Sequence, residues 1–143
     1  MTRQTVEIAA SKLGEELTAE VESMQFHATK IEFLVDNLYA FNRSEHPVIV
    51  YTSDGRFLDS WGEGQFVRPH GIWITQEDVI WLTDDHGHVM HRYTTDGHRE
   101  QTLGTAGEGS DTGVENMSYL TIKQPAGPFN LPTNLAVAPD GRL

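Results

Sequence analysis

The sequence predicts an all-β protein built from a repeated unit of antiparallel strands. Residues 38–62 recur 42 residues later, so that Tyr51-Thr52-Ser53-Asp54-Gly55 aligns with Tyr93-Thr94-Thr95-Asp96-Gly97. Each unit contains short apolar runs separated by turn signals, and its Asp-Gly pair is typical of a hairpin. A hairpin repeat of roughly 40 to 50 residues is typical of a β-propeller blade, and a propeller closes with about four to eight blades. We therefore predict a partial β-propeller with two four-stranded antiparallel blades, the start of a third, and an N-terminal α-helix.

The N-terminal element is an amphipathic pattern in residues 4–24. Apolar residues recur there at steps of three and four, namely Val6, Ala9, Leu13, Leu17, Val21 and Met24. Glutamates occupy positions between them, which is typical of a helix with one apolar stripe. We interpret residues 1–30 as a helical segment and residues 31–143 as the partial propeller. The stripe could cover an open sheet edge, pair with a second copy, or belong to a poorly ordered leader, and the sequence leaves these alternatives open.

Strand patterns begin at Ile31, where Ile31, Phe33 and Val35 alternate with Glu32 and Leu34. The other predicted strands are residues 38–41, 47–51 and 57–61 in the first unit and 71–75, 80–83, 89–93 and 100–103 in the second. Most of these runs are rich in apolar residues, and turn residues lie between them, which indicates strands.

A third unit begins after an insertion. Phe129-Asn130-Leu131-Pro132 repeats Phe66-Val67-Arg68-Pro69 at an offset of 63, which leaves about 21 inserted residues before it. Residues 105–113 are rich in Gly, Ser, Thr and Asp, and they predict a loop. The sequence ends at Leu143 inside a hairpin signal, and we expect a truncated propeller on that ground.

The composition narrows the classes of partner. The chain has 21 acidic and 10 basic residues and a net charge of −11, which repels phosphate backbones, so we expect no nucleic-acid partner. No run approaches the roughly 18 apolar residues of a membrane span, and the N-terminus lacks a signal-peptide pattern, so we expect no membrane and a cytoplasmic location. The chain has no cysteine, which leaves histidines and carboxylates as possible metal ligands.

His70 is the first candidate functional residue. It stands in Pro69-His70-Gly71-Ile72, at the start of a predicted inner strand, where blades of a propeller point residues towards a shared channel. Imidazoles from several blades could hold one Zn²⁺ there. The third unit has Thr133 at the corresponding position, so the chain offers one such ligand. The alternative is a structural histidine at a turn.

Two further runs carry candidate binding residues. Asp84, Asp85, His86 and His88 form the densest group of metal-capable side chains, in a hairpin whose Asp and Gly residues could equally serve turn geometry alone. The other run is residues 41–47, in which Arg43 could clamp a carboxylate and Glu45 and His46 could carry protons. The alternative for Arg43 is a local pair with Glu45 or Asp84 that holds two blades in register.

Several runs resemble NHL-repeat β-propellers, and among them the bacterial relatives of peptidyl-α-hydroxyglycine α-amidating lyase. The resemblance spans about residues 36–143 and rests on F-N-R-S-E-H-P, W-G-E-G-x-F-x-x-P-H-G-I, L-T-D-D and P-F-N-L-P-T-N-L-A-V-A-P-D-G, in the order of the family. It implies a six-bladed propeller with a three-histidine zinc centre, a structural calcium ion, and a catalytic arginine and tyrosine. By resemblance Arg43 would be the catalytic arginine, His70 the first zinc ligand, and Ile72 a carbonyl ligand of calcium.

The departures from that family set two function hypotheses. The tyrosine motif and the other two histidine motifs are not in this sequence, and one imidazole holds a metal weakly. The first hypothesis is therefore a noncatalytic binding or assembly module that binds a protein, a peptide or a small molecule. The second is a zinc-dependent lyase part, active only when further blades complete it. Two blades leave apolar faces open, so we expect self-association or completion by other blades, and three copies would give six.

Overall fold

The computed structural model describes residues 28–34, 37–138 and 140–143. Its eight strands form two four-stranded antiparallel sheets, each with its strands in sequence order. The first sheet consists of β1 (Ala28–Leu34), β2 (Asn37–Asn42), β3 (Val48–Thr52) and β4 (Phe57–Trp61). The second consists of β5 (Pro69–Ile74), β6 (Ile80–Asp84), β7 (Val89–Tyr93) and β8 (Arg99–Leu103). The predicted helix in residues 4–24 lies outside the described residues.

The all-β prediction and the two four-stranded blades are confirmed. The two sheets have the same order of strands, and β2 and β6 correspond at the 42-residue repeat. Both are interior strands: every residue of β6 is buried, as is every residue of β2 after Asn37. The last strands β4 and β8 are largely exposed, whereas β5, which is also at the edge of its sheet, has no exposed residue because it packs against β1 and β2 of the first blade. In the described part of the chain, no helix has the length and apolar character to cross a membrane.

Aromatic side chains pack the two blades against each other. The ring centroids of Trp61 and Tyr93 lie 5.1 Å apart, and those of Phe41 and Phe66 lie 5.0 Å apart. Burial of such large rings is a main source of stability in a small β core. A Cβ atom placed on Gly97 would lie 2.7 Å from the Trp61 ring, so the second blade's Asp-Gly hairpin packs directly on the first blade.

The third unit begins as an extended segment against the second blade. The carbonyl of Thr133 accepts a hydrogen bond from Thr83 Oγ1 at 3.2 Å. A Cβ atom at Gly71 would lie 2.5 Å from that carbonyl oxygen, so the close approach requires glycine in β5. Among the described residues no strand follows β8, and the segment ends in a turn closed by Ala138 and Arg142. An extended segment without a neighbouring strand forms no ladder.

The loops at one end of the blades form a continuous surface, which we call the loop face. It consists of residues 43–47, 62–68, 85–88 and 104–131, which follow β2, β4, β6 and β8. The Asp85 N–H donates to the Arg68 carbonyl at 3.3 Å, and the Gly107 N–H donates to the Gly87 carbonyl at 2.9 Å. The first strand also begins at this end, because Ala28 pairs with Asn42.

Candidate functional site

The β2–β3 turn is held by a buried amide. Asn42 is completely buried, and its Nδ2 donates to the carbonyls of His46 at 2.8 Å and Pro47 at 3.1 Å. Its Oδ1 accepts from the Ser44 N–H at 2.6 Å. These bonds satisfy polar groups that the turn would otherwise bury unpaired, and they fix the backbone on both sides of Arg43.

Arg43 extends from this turn to the next blade. Its Nε donates to the Pro69 carbonyl at 3.1 Å, at the start of β5. Neither Glu45 nor Asp84 pairs with it, and no other carboxylate in the described ranges lies within ion-pair distance of its guanidinium. The single bond therefore orients an exposed cation whose charge those ranges leave uncompensated.

Arg43 lines a cavity of about 180 Å³ between the β2–β3 turn and the β4–β5 loop. The lining residues are Arg43, Ser44, Glu45 and Pro47 from the turn and Gly64, Phe66, Val67, Arg68 and Pro69 from the loop. Proline, phenylalanine and valine side chains make one wall apolar, while the arginines and Glu45 make the rest charged. An apolar wall with a few convergent polar groups is the usual character of a ligand site.

Arg68, the second arginine of the cavity, is neutralised by Asp85. Its Nε donates to Asp85 Oδ1 at 2.7 Å and its Nη2 donates to Oδ2, which is a bidentate pair. Asp85 is buried, and its burial would raise the pKa of its carboxyl. The hydrogen bonds and charge of Arg68 outweigh burial and hold that pKa below its ordinary value. Asp85 is therefore ionised and serves to position Arg68.

Asp84 is buried and joins the two adjoining loops through hydrogen bonds to their backbones. Its carboxylate accepts the backbone N–H groups of Val67 at 2.6 Å, Arg68 at 2.9 Å and Gly87 at 2.9 Å. These three donors join the β4–β5 loop, which forms one wall of the cavity, to the β6–β7 turn. The role that the structure gives Asp84 is structural, because its oxygens are occupied by backbone donors.

His46 lies near the cavity and pairs with the β4–β5 loop. Its Nδ1 is 2.6 Å from Glu63 Oε1, and both side chains are exposed. This hydrogen bond lowers the pKa of the Glu63 carboxyl. His46 thus links the β2–β3 turn to the β4–β5 loop, while Arg43 links the same turn to the start of β5.

His70 stands beside the cavity and does not line it. Its Nδ1 lies 2.8 Å from the Thr133 carbonyl, and because a carbonyl only accepts, Nδ1 carries the proton. Its Nε2 is then free of a proton in the neutral ring, 4.0 Å from Asp85 Oδ2. Arg43 contacts the carbonyl of the preceding residue, Pro69, so the structure brings Arg43 to the strand that carries His70.

The other metal candidates do not converge. His88 Nδ1 accepts the Leu131 N–H at 3.2 Å, His86 Nε2 is buried without a hydrogen-bond partner, and Ile72 is completely buried. Within the described ranges, no group of three His, Asp or Glu side chains has the arrangement of a metal site. Those residues supply one inner imidazole, so they do not by themselves fit a three-histidine zinc centre.

Arg68 is the site residue that the sequence interpretation did not single out. It stands immediately before Pro69-His70, in a stretch where the preceding cation is Arg56 and the next is Arg92. A lone arginine close to a functional motif, in a chain that also contains an Asp-Asp pair, is a signal for a buried ion pair. The pairing itself depends on how the β4–β5 loop folds over the β6–β7 turn.

The chain is similar to NHL repeat-containing protein 3 from two mammals. It is 32% identical to the Mus musculus protein over 79 residues, which are 50% of this chain and 22% of that protein. It is 35% identical to the Homo sapiens protein over 68 residues, which are 43% of this chain and 19% of that protein. The matched region thus spans about a fifth of each relative's length, and no family model matches the chain. The similarity and the two repeated blades together support the NHL-repeat family.

Proposed function

We propose that this chain is a noncatalytic NHL-repeat interaction module that binds a peptide carboxylate in the cavity beside Arg43. One observation carries the proposal: Arg43 is fixed through Nε to the Pro69 carbonyl, while no carboxylate of the described ranges compensates its charge. The similarity to NHL repeat-containing proteins supports a role in interaction.

A carboxylate is the anion that this site favours. With Nε bonded to Pro69, the Nη groups of Arg43 can donate to the two oxygens of one carboxylate. Arg68 cannot act in the same way, because Asp85 already holds it. The net charge of −11 and Glu45 in the cavity wall disfavour ligands that carry several negative charges, such as phosphates.

The apolar wall selects the group next to the carboxylate. Phe66 and Val67 line the cavity and keep accessible apolar surface, so an apolar side chain beside the bound carboxylate would bury surface. A volume near 180 Å³ fits a small group. We therefore propose recognition of about one or two residues at a peptide's C-terminus, with an apolar final side chain.

The test uses N-acetyl-leucine and its C-terminal amide, which differ in the carboxylate alone. Isothermal titration against the full chain should show saturable binding of the acid, with Kd near 1 mM, about −4 kcal/mol for so small a ligand. Arg43→Ala should weaken binding about tenfold or more, because a hydrogen-bonded charge contributes roughly 1.5–3 kcal/mol. The amide should bind no better to the parent protein than the acid binds to Arg43→Ala.

Arg56→Ala is the matched control, because it removes an exposed arginine from the hairpin between β3 and β4, at the opposite end of the first blade. It should leave binding of the acid unchanged. Equal losses in Arg43→Ala and Arg56→Ala would mean that overall charge controls binding, and equal affinities for acid and amide would contradict carboxylate recognition. Either result rejects the site.

A second candidate function is the zinc-dependent amidating-lyase part that the family resemblance implies. Two observations favour it: the contact of His70 Nδ1 with the Thr133 carbonyl leaves Nε2 as the ring nitrogen that could bind a metal, and Arg43 contacts the neighbouring Pro69. Zinc would supply Lewis acidity to the substrate hydroxyl, and Arg43 would orient and neutralise the substrate's anionic group. The described residues supply one metal-binding imidazole, so further blades, from other copies or another polypeptide, would have to complete the centre.

Glyoxylate release from a peptidyl-hydroxyglycine substrate separates the two candidates. We expect no turnover above background for the chain alone, with or without added zinc. Turnover that is lost in Arg43→Ala and in His70→Ala would replace the binding proposal by the enzymatic one. Light scattering of the same samples gives the assembly state, for which a closed ring of six blades would require three copies.

A further inference from the structure

The cavity beside Arg43 has a second charged side chain without an ionic partner, Glu45. It lines the cavity from the β2–β3 turn and is exposed. Within the described ranges, no lysine, arginine or histidine lies within ion-pair distance of its carboxylate. Arg68, the other charged residue of the lining, is already paired with Asp85. The cavity therefore presents one uncompensated cation and one uncompensated anion to a ligand.

The two walls of the cavity differ in character. The β2–β3 turn contributes Glu45 together with Arg43, whereas the β4–β5 loop contributes Phe66 and Val67, which keep accessible apolar surface. The negative charge and the apolar surface thus belong to separate segments of the chain, and the cavity lies between them. A ligand that satisfies both walls carries a cation on one side and an apolar group on the other.

We propose that Glu45 selects a peptide in which the residue before the C-terminal one is lysine or arginine. This inference rests on the proposed recognition of the C-terminal carboxylate by Arg43. In an extended peptide, successive side chains point to opposite faces. When the final apolar side chain lies on the wall of Phe66 and Val67, the preceding side chain is directed towards the turn that carries Glu45. The Glu45 carboxylate attracts a cation there and repels an acidic side chain.

The size of the cavity and the charge of the protein agree with this class of ligand. A volume near 180 Å³ limits selection to the last one or two residues of a peptide. Because Glu45 is exposed, a lysine or arginine would lay its aliphatic stem along the wall and keep its charged group in water. The net charge of −11 also attracts basic peptides at long range, without regard to position, so the test must separate Glu45 from overall charge.

The test compares N-acetyl-lysyl-leucine with N-acetyl-norleucyl-leucine, which lacks the lysine ammonium group. In isothermal titration against the full chain at low salt, the lysyl peptide should bind about threefold more tightly, because an exposed ion pair contributes modestly. Salt should reduce this difference by screening the two charges. Glu45→Gln should abolish the preference and leave the affinity for the norleucyl peptide unchanged. The Glu45 side chain is exposed, so this variant keeps the folded core.

Glu77→Gln is the matched control. It removes one exposed negative charge from the hairpin between β5 and β6, at the end of the second blade opposite the loop face. The preference for the lysyl peptide should persist in this variant. Equal losses of preference in Glu45→Gln and Glu77→Gln would assign it to overall charge, and a preference that survives in Glu45→Gln would assign it to another group. Either result overturns the inference.

Glu45→Lys gives a reversed readout at the same position. In this variant N-acetyl-glutamyl-leucine should bind more tightly than the lysyl peptide, because the charge facing the preceding side chain is now positive. Equal affinities of the parent protein for the lysyl and norleucyl peptides, with both lost in Arg43→Ala, would overturn selection by Glu45 and leave carboxylate recognition intact. If neither peptide binds, or if Arg43→Ala leaves both affinities unchanged, carboxylate recognition fails and this inference fails with it.

Discussion

Each blade has one turn between its second and third strands, and the two turns carry opposite charges at the same position of the repeat. At the 42-residue offset Asn42 corresponds to Asp84, and Arg43 corresponds to Asp85. Asn42 and Asp84 are both buried, and both hold their turn through hydrogen bonds to the backbone. The residue after each differs: Arg43 is an exposed cation with one backbone bond, whereas Asp85 is buried and paired twice with Arg68.

The difference separates a structural role in the second blade from the binding role that we propose in the first. In the second blade the charge of Asp85 is neutralised inside the fold by Arg68, and this ion pair holds the β4–β5 loop. In the first blade the charge contacts the next blade through Pro69 and stays open to a ligand. Substitutions in the second-blade turn should therefore affect stability, while substitutions of Arg43 should affect binding.

The largest effect expected from this comparison is at the buried anchors. Asp84→Ala removes an acceptor of three backbone N–H groups and should lower the free energy of unfolding by about 3–5 kcal/mol. Asn42→Ala should lower the free energy of unfolding by about 1–3 kcal/mol, because the hydrogen bonds of the Asn42 side chain involve no charged group. Urea unfolding of both variants measures the difference. Equal losses would show that the charge of Asp84 adds nothing to its hydrogen bonds.

The second effect contrasts the two arginines of the cavity. Arg68→Ala leaves the buried Asp85 without its cation and should cost about 2–3 kcal/mol, below the full value for a buried pair because Arg68 is 38% exposed. Arg43→Ala should change stability by less than about 0.5 kcal/mol, as expected for an exposed side chain. Urea midpoints of the two variants compare them. A loss in Arg43→Ala as large as that in Arg68→Ala would make Arg43 a structural clamp between the blades.

The sequence was sufficient to predict the strands, because alternation of apolar residues is a local property. β4 and β7 have the predicted bounds, β6 and β8 differ from them by one residue at one end, and β2 differs by one residue at each end. The Asp-Gly hairpins were equally visible, since a turn's geometry depends on a few adjacent residues. The 42-residue repeat then predicted two blades of equal size.

The site was less predictable, because its contacts join residues far apart in sequence. The hydrogen bonds of Asp84 to Val67 and Arg68 and the ion pair of Asp85 depend on how two loops meet, which no local pattern encodes. For the same reason the cluster from Asp84 to His88 suggested metal binding, although backbone groups occupy much of it. The exposure of Tyr119 and Leu120 was not predicted, because burial of an apolar side chain depends on which distant residues pack on it.

The third prediction concerns stability at acidic pH and one repeat position at which the two blades have different residues. His91 corresponds to Ile49 in the repeat, and its burial lowers its pKa from 6.5 to about 4. The folded protein therefore binds a proton at His91 less readily than the unfolded chain does. The stabilising contribution is complete above about pH 6.5 and falls as pH drops towards 4, by about 3 kcal/mol.

His91→Ile gives the second blade the residue of the first and should remove that loss. Unfolding free energies between pH 7 and 4 measure it, with exposed His98→Gln as the control. The contribution of Asp85 does not interfere, because its pKa is lowered below 3.8 and its stabilisation is lost only at lower pH. An unchanged slope in His91→Ile would assign the acid sensitivity to other groups.

The smallest effect separates the equivalent hairpin glycines, Gly55 and Gly97. Both have positive φ, +87° and +83°, so alanine at either should cost about 1 kcal/mol from the backbone alone. A Cβ atom at Gly55 meets nothing within 4 Å, whereas one at Gly97 would lie 2.7 Å from Trp61. Gly97→Ala should therefore cost about 1 kcal/mol more than Gly55→Ala, because the Trp61 ring must shift. Thermal unfolding of the two variants tests this, and Trp61→Leu should abolish the difference by making room for the new methyl group. If the two glycine variants melt alike in the parent background, the second hairpin does not pack on the first blade.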